Sequence, residues 1–153
     1  NSAPEQEYPN AALRLMIVVD TNVLSELMRD TPHPSVKRWM ETQIQANLYT
    51  TAICEAEIFY GIAKLPAGRR QTALRNAGEA IFGEFFGRIL AFDSAAARAF
   101  AGIASARQRI GRPIGEADAQ IAAIARVHGA AVATRNVGDF AGCGIEVISP
   151  WNT

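Results

Sequence analysis

The chain has 153 residues, 49% of them apolar and 20% charged, and its fifteen basic and fifteen acidic residues cancel. That length fits one domain able to bury a core without staples, the composition excludes disorder, and the neutral balance excludes a global basic field for nucleic acid. No apolar run is long enough to cross a bilayer and no signal-peptide plan opens the chain, so a cytoplasmic protein with no membrane contact is expected.

Residues 1–15, NSAPEQEYPNAALRL, are polar, carry two prolines and lack periodicity. They are expected to be a flexible leader or appended extension, with residues 16–153 forming the single domain. Then MIVV, residues 16–19, reads as a buried strand that stops on an acid, Asp20. An unpaired ionised acid is expensive to desolvate, so a compensating cation or a full set of donors is expected there.

A short helix is predicted over 22–28 with Thr21 or Asn22 as N-cap, and a second over 35–44, after Pro34. Leu48 to Thr51 is β-prone. Thr51 then caps a helix in which Ile53, Ala56, Phe59, Tyr60 and Ala63 recur every three or four residues, ended by Pro66. A long amphipathic helix follows over 67–85 and a short strand over 89–92. Asp93 or Ser94 caps an Ala-rich helix to Arg109, GRPIG is a loop, and 116–128 is a helix closed by Gly129. Strands at 131–134 and 145–148 complete the chain. Short apolar strands alternating with helices predict an α/β fold: a central, mostly parallel sheet of four or five short strands covered on both faces, with ligands beyond the carboxyl ends of the strands.

Cys54 and Cys143 are far apart and fit no paired-ligand spacing, so they read as small core residues. His33 sits between two prolines in a turn, and His128 ends a helix where the dipole favours it. Neither histidine reads as catalytic. Thirteen of the fifteen basic residues are Arg, only Lys37 and Lys64 being Lys, a bias that suits phosphate contacts but also fits a compositional preference.

The acids carry the chemistry. Asp20 follows the first strand, with Thr21 and Asn22 as short polar groups able to orient a carboxylate or a water. Glu57 has only uncharged one-turn neighbours, Ile53, Cys54, Tyr60 and Gly61, but Glu55 is similarly placed, and local pattern does not choose between them. Asp118 lies near a helix start, where dipole complementation also explains a first-turn acid. Thr134, Asn136 and Asp139 put polar oxygens after the late strand.

Together, MIVVDTNVLSEL, TAICEAEIFYGI, GEADAQIAAIARVHG and VATRNVGDF with a closing ISPW resemble the PIN-domain ribonucleases, in particular the VapC and FitB type toxins of bacterial toxin and antitoxin pairs. The resemblance spans Met16 to Trp151. It implies a PIN-like α/β/α sandwich in which Asp20, Glu57 and Asp118 are catalytic, metal-binding carboxylates, selecting Glu57 over Glu55. A fourth acid is expected after the late strand; the nearest place holds Asn136, and Asp139 stands three residues on, so both count as catalytic-site members. Thr21, Asn22 and Thr134 support them.

What the resemblance implies is endonucleolytic RNA hydrolysis by a water activated on Mg²⁺ or Mn²⁺, leaving a 5′-phosphate and a 3′-hydroxyl. With one negative ligand replaced by Asn136, single-metal occupancy is expected. Arg112 and Arg135 are the local cations expected to hold RNA. A homodimer is implied, with a cognate antitoxin that inserts a basic tail into the acidic cleft. Two rivals remain: a catalytically weak PIN fold that binds RNA or antitoxin, and a phosphotransferase using Asp20 as nucleophile, which the Asn at position 22 counts against.

Overall fold

The computed structural model describes residues 15–152; the expected leader lies outside the described residues except for Leu15. Five strands form one sheet: β1 (Ile17–Val19), β2 (Leu48–Thr51), β3 (Ile89–Leu90), β4 (Ala131–Ala133) and β5 (Val147–Ile148). Their order is β3-β2-β1-β4-β5, and every pairing is parallel. The sheet expected to be mostly parallel is therefore parallel throughout.

Parallel strands need crossovers, and helices supply them: α1 (Thr21–Leu27), α2 (Pro34–Thr42), α3 (Ala52–Ala63), α4 (Arg69–Glu84), α5 (Ser94–Arg109) and α6 (Glu116–Val127). Successive strand residues point to opposite faces, yet all three positions of β1 and of β4 are buried. Both faces of the sheet centre are thus covered, which makes the architecture α/β/α.

Composition dictates how closely the layers approach. In α6, Ala119, Ala122, Ala123 and Ala125 are buried along with Ile121 and Ile124, so the helix is enclosed on most sides. Its small side chains bring its backbone close to α5 and to the sheet. Gly129, at φ 64, takes the left-handed position that ends α6 and turns the chain into β4.

Local signals set most boundaries, with one correction. Thr51 accepts from the Cys54 N–H (3.0 Å) and Asp93 from the Ala96 N–H (3.0 Å), as expected of caps. The first helix, however, is capped by Asp20 and not by Thr21 or Asn22, because the chain turns helical immediately after β1. Helix α2 starts at Pro34, with His33 Nδ1 accepting from the Ser35 N–H (3.1 Å), and stops at Thr42, two residues before the expected end. The strands expected over 89–92 and 145–148 pair over two residues each. Among the described residues no helix is long and apolar enough to cross a membrane.

β1 and β4 are neighbours at the centre of the sheet, so their carboxyl ends deliver Asp20 and Thr134 side by side. The Asp20 N–H donates to the Ala133 carbonyl (2.9 Å) and the Thr134 N–H to that of Ile148 (2.9 Å).

Candidate functional site

Asp20 is 3% exposed, and both of its carboxylate oxygens are engaged. Oδ1 accepts from the Thr21 N–H at 2.7 Å and Oδ2 from the Thr134 hydroxyl at 2.7 Å. That hydroxyl also accepts from Asn22 Nδ2 (3.3 Å) and from the Asn136 N–H (3.1 Å), while Asn22 Oδ1 accepts from the Arg135 N–H (3.1 Å). With its two lone pairs occupied by donors, Thr134 has its own proton directed at Asp20. Asn22 thereby joins α1 to the segment after β4.

Glu57 comes from α3 and is exposed; its Oε1 accepts from the Thr21 hydroxyl at 2.6 Å. Asp118, half-buried, comes from the first turn of α6. A cleft of about 540 Å³ takes its walls from Asp20, Thr21, Asn22, Glu57, Asp118, Arg135 and Asn136, together with Ser25, Glu26, Arg29 and Trp151. Glu57 is part of that lining and Glu55 is not.

The acids feel one another. Burial pushes the Asp20 carboxyl above its ordinary value of 3.8, the Thr134 and Thr21 donors pull it back, and the charges of Glu57 and Asp139 raise it again. Asp118 is pushed up to about 6, first by burial and then by the charges of Asp20, Asp139 and Glu57. Asp139 thus faces the cluster electrostatically from the 3₁₀ turn Val137–Phe140, whereas Asn136 contributes to the cleft wall itself. Among the described residues no arginine neutralises these acids, the one ion pair there being Arg29 with Glu26, at 3.3 Å.

Such a donor set, hard oxygens in excess of positive charge, suits a divalent cation of the Mg²⁺ or Mn²⁺ class. Among the described residues, no three acid, His or Cys side chains converge closely enough to enclose a bare ion. The fit is therefore to a cation that keeps several waters and takes only one or two carboxylates directly, which is the habit of Mg²⁺.

Seven of the ten residues singled out in the sequence line this cleft, Thr134 bonds to Asp20 from behind it and the charge of Asp139 reaches Asp20; Arg112 does not line it. Exposed in the loop after α5, Arg112 gives its carbonyl to Arg107 Nε at 2.7 Å. Arg107 was missed. Only 5% exposed, it spans from α5 to the carbonyls of Asp139 (2.8 Å) and Ala141 (3.0 Å), pinning the turn that carries Asp139. Three arginines within RQRIGR gave no sign of which one turns inward. Trp151, Glu26 and Arg29 were missed too, although Trp151 follows β5 and the carboxyl-end rule could have found it.

The PIN domain family model matches residues 17–141. Over 137 residues the chain is 42% identical to the VapC ribonuclease Y4jK of Sinorhizobium fredii, covering 89% of this chain and 98% of that protein. It is 39% identical to Toxin FitB of Neisseria gonorrhoeae over 138 residues, 90% of this chain and 99% of that one. Among solved structures, FitAcB from Neisseria gonorrhoeae superposes with a TM-score of 0.84 at 39% identity, covering 90% of this chain and 100% of that one.

Proposed function

The chain belongs to the PIN-domain family, alongside toxins of the VapC and FitB type, and from that premise we propose that it is a divalent-metal-dependent endoribonuclease, the toxin of a toxin and antitoxin pair. One observation carries the reading: Asp20, Glu57 and Asp118, from three separate elements, line one cleft at the carboxyl end of the sheet, and among the described residues no arginine pairs with them.

One or two of Asp20, Glu57 and Asp118 would hold Mg²⁺ or Mn²⁺ directly and the rest through its waters, with Asn136 and Asp139 beside them. When bound, such a cation supplies charge at the scissile phosphate and acidifies a coordinated water. The chain's own part is orientation. Thr134 and the Thr21 N–H fix both oxygens of Asp20, the Thr21 hydroxyl fixes Glu57, and Asn22 ties the late segment carrying Asn136 to α1. Held in this way, the carboxylates need no reorganisation when the cation and the phosphodiester arrive. Asp118 carries a proton below about pH 6 and must release it to act as a ligand.

Residues 16–153 would work as one PIN domain in the cytoplasm. The acidic cleft suits the basic tail of a cognate antitoxin as well as it suits a metal. The same reading includes a homodimer.

Asn136 in the fourth position favours one second reading, a PIN fold that binds RNA or antitoxin without cutting. Purified protein decides between them. Mn²⁺-dependent cleavage of total RNA that disappears in Asp20→Asn supports the enzyme; an RNA pattern identical with and without Mn²⁺ supports the binding module. The phosphotransferase reading is weakened by Asn22, which stands where that plan asks for a second acid.

A further inference from the structure

Neighbouring parallel strands bring two more residues together at the rim of the acidic cleft: Arg135 follows β4 and Trp151 follows β5. The guanidinium carbon of Arg135 lies over the indole ring, 5.2 Å from its centroid. Both residues line the acidic cleft and also an adjoining one of about 420 Å³ that continues past Arg29 to His33. They stand where a strand leaving the carboxylates would pass.

Arg135 is an unusual cation for such a place. It shares a cleft wall with Asp20, Glu57 and Asp118, yet it forms no ion pair, and among the described residues none of its guanidinium N–H groups is hydrogen-bonded. Its backbone N–H is fixed to Asn22, but its long side chain is exposed. A guanidinium free to swing beside several carboxylates should fall onto them and fill the place of a metal ion. Attraction to the face of Trp151 opposes that collapse and leaves the donors of the guanidinium unspent. Unspent, co-planar N–H donors match a phosphate bidentately.

We propose that Trp151 and Arg135 form a phosphate-binding subsite for the nucleotide adjoining the scissile bond, Trp151 holding Arg135 off the carboxylates so that its charge meets RNA and not the metal-binding acids. This rests on the endoribonuclease reading. It assigns Arg135 to substrate and makes Trp151 its positioning residue.

Two measurements test it. In an Asp20→Asn background, which prevents cleavage, binding of a short fluorescein-labelled single-stranded RNA is followed by anisotropy across a KCl series. Arg135→Gln is expected to weaken binding about tenfold and to flatten the salt slope by about one charge. Unchanged affinity and slope would overturn the subsite, whereas an Asp20→Asn parent that binds no RNA at all would overturn the RNA reading and the phosphate role with it. Separately, with Asp20 intact, Mn²⁺ affinity is measured by titration. Trp151→Ala is expected to weaken it, Trp151→Phe to preserve it, and Trp151→Ala combined with Arg135→Gln to restore it. A loss in Trp151→Ala that the second substitution does not restore, or no loss in a variant whose circular dichroism is native, contradicts the positioning role.

Discussion

The Thr134 hydroxyl donates to Asp20 Oδ2 at 2.7 Å, although the two residues are 114 positions apart in sequence. The bond joins the ends of adjacent central strands and orients the most deeply buried acid of the cleft. Thr134→Val keeps the shape but removes the donor that lowers the Asp20 proton affinity. Mn²⁺ affinity and RNA cleavage are expected to fall roughly 10- to 100-fold, the usual cost of losing a group that orients a metal ligand. Thr134→Ser should recover most of the loss. A Mn²⁺ titration of both variants checks it.

Asp118 and Asp20 hold their protons more tightly in the folded chain than at the ordinary value of 3.8. Between 3.8 and about 6 the folded state therefore binds more protons than the unfolded one, and the stability Asp118 contributes through that proton is lost as pH rises through this window. Asp118→Asn is expected to raise the melting temperature of the metal-free protein more at about pH 7.5 than at about pH 5. Mg²⁺ should stabilise the native chain at the higher pH and do little at the lower. Differential scanning calorimetry at the two pH values reads both effects. Cleavage of RNA should rise as pH passes through about 6, as Asp118 deprotonates.

Arg107 donates to the carbonyls of Arg112, Asp139 and Ala141 while almost wholly buried. Arg107→Met fills similar space but leaves these acceptors without their donor. Arg112, Asp139 and Ala141 are all exposed residues, so water offsets part of the loss and a destabilisation of about 1–3 kcal/mol is expected. Urea unfolding measures it. A variant that retains full stability would mean that water replaces the guanidinium.

Asn136 lines the cleft with a neutral side chain where the family pattern expects an acid. Asn136→Asp adds a charge to the cluster and should tighten Mn²⁺ binding in the deprotonated protein while destabilising the metal-free fold. Isothermal titration with Mn²⁺, paired with a melting curve in a chelator, tests the two opposite signs together.

Much of the fold was legible because its signals are local. MIVV and AVA are continuous apolar runs at strand length, and Thr51, Asp93 and Gly129 act on their own neighbours. The errors came where one residue serves two purposes or where pairing is long-range. Asp20 both caps α1 and enters the cleft, so Thr21 and Asn22 looked like the better caps. The strands at 89–92 and 145–148 pair over only two residues because they form the sheet edges, which pattern alone does not reveal. At the site, nothing within one turn separates Glu57 from Glu55; the Thr21 hydroxyl, 36 positions away, does so. Arg107 and Trp151 stayed hidden for the same reason, since their partners lie on other elements.

The most direct test is a Mn²⁺ titration of the purified chain followed by electron paramagnetic resonance, comparing the native sequence with Asp20→Asn, Glu57→Gln and Asp118→Asn. One tight Mn²⁺ per chain is expected, weakened sharply by each substitution. Native Mn²⁺ affinity in all three variants, or two equally tight ions in the native chain, would contradict it.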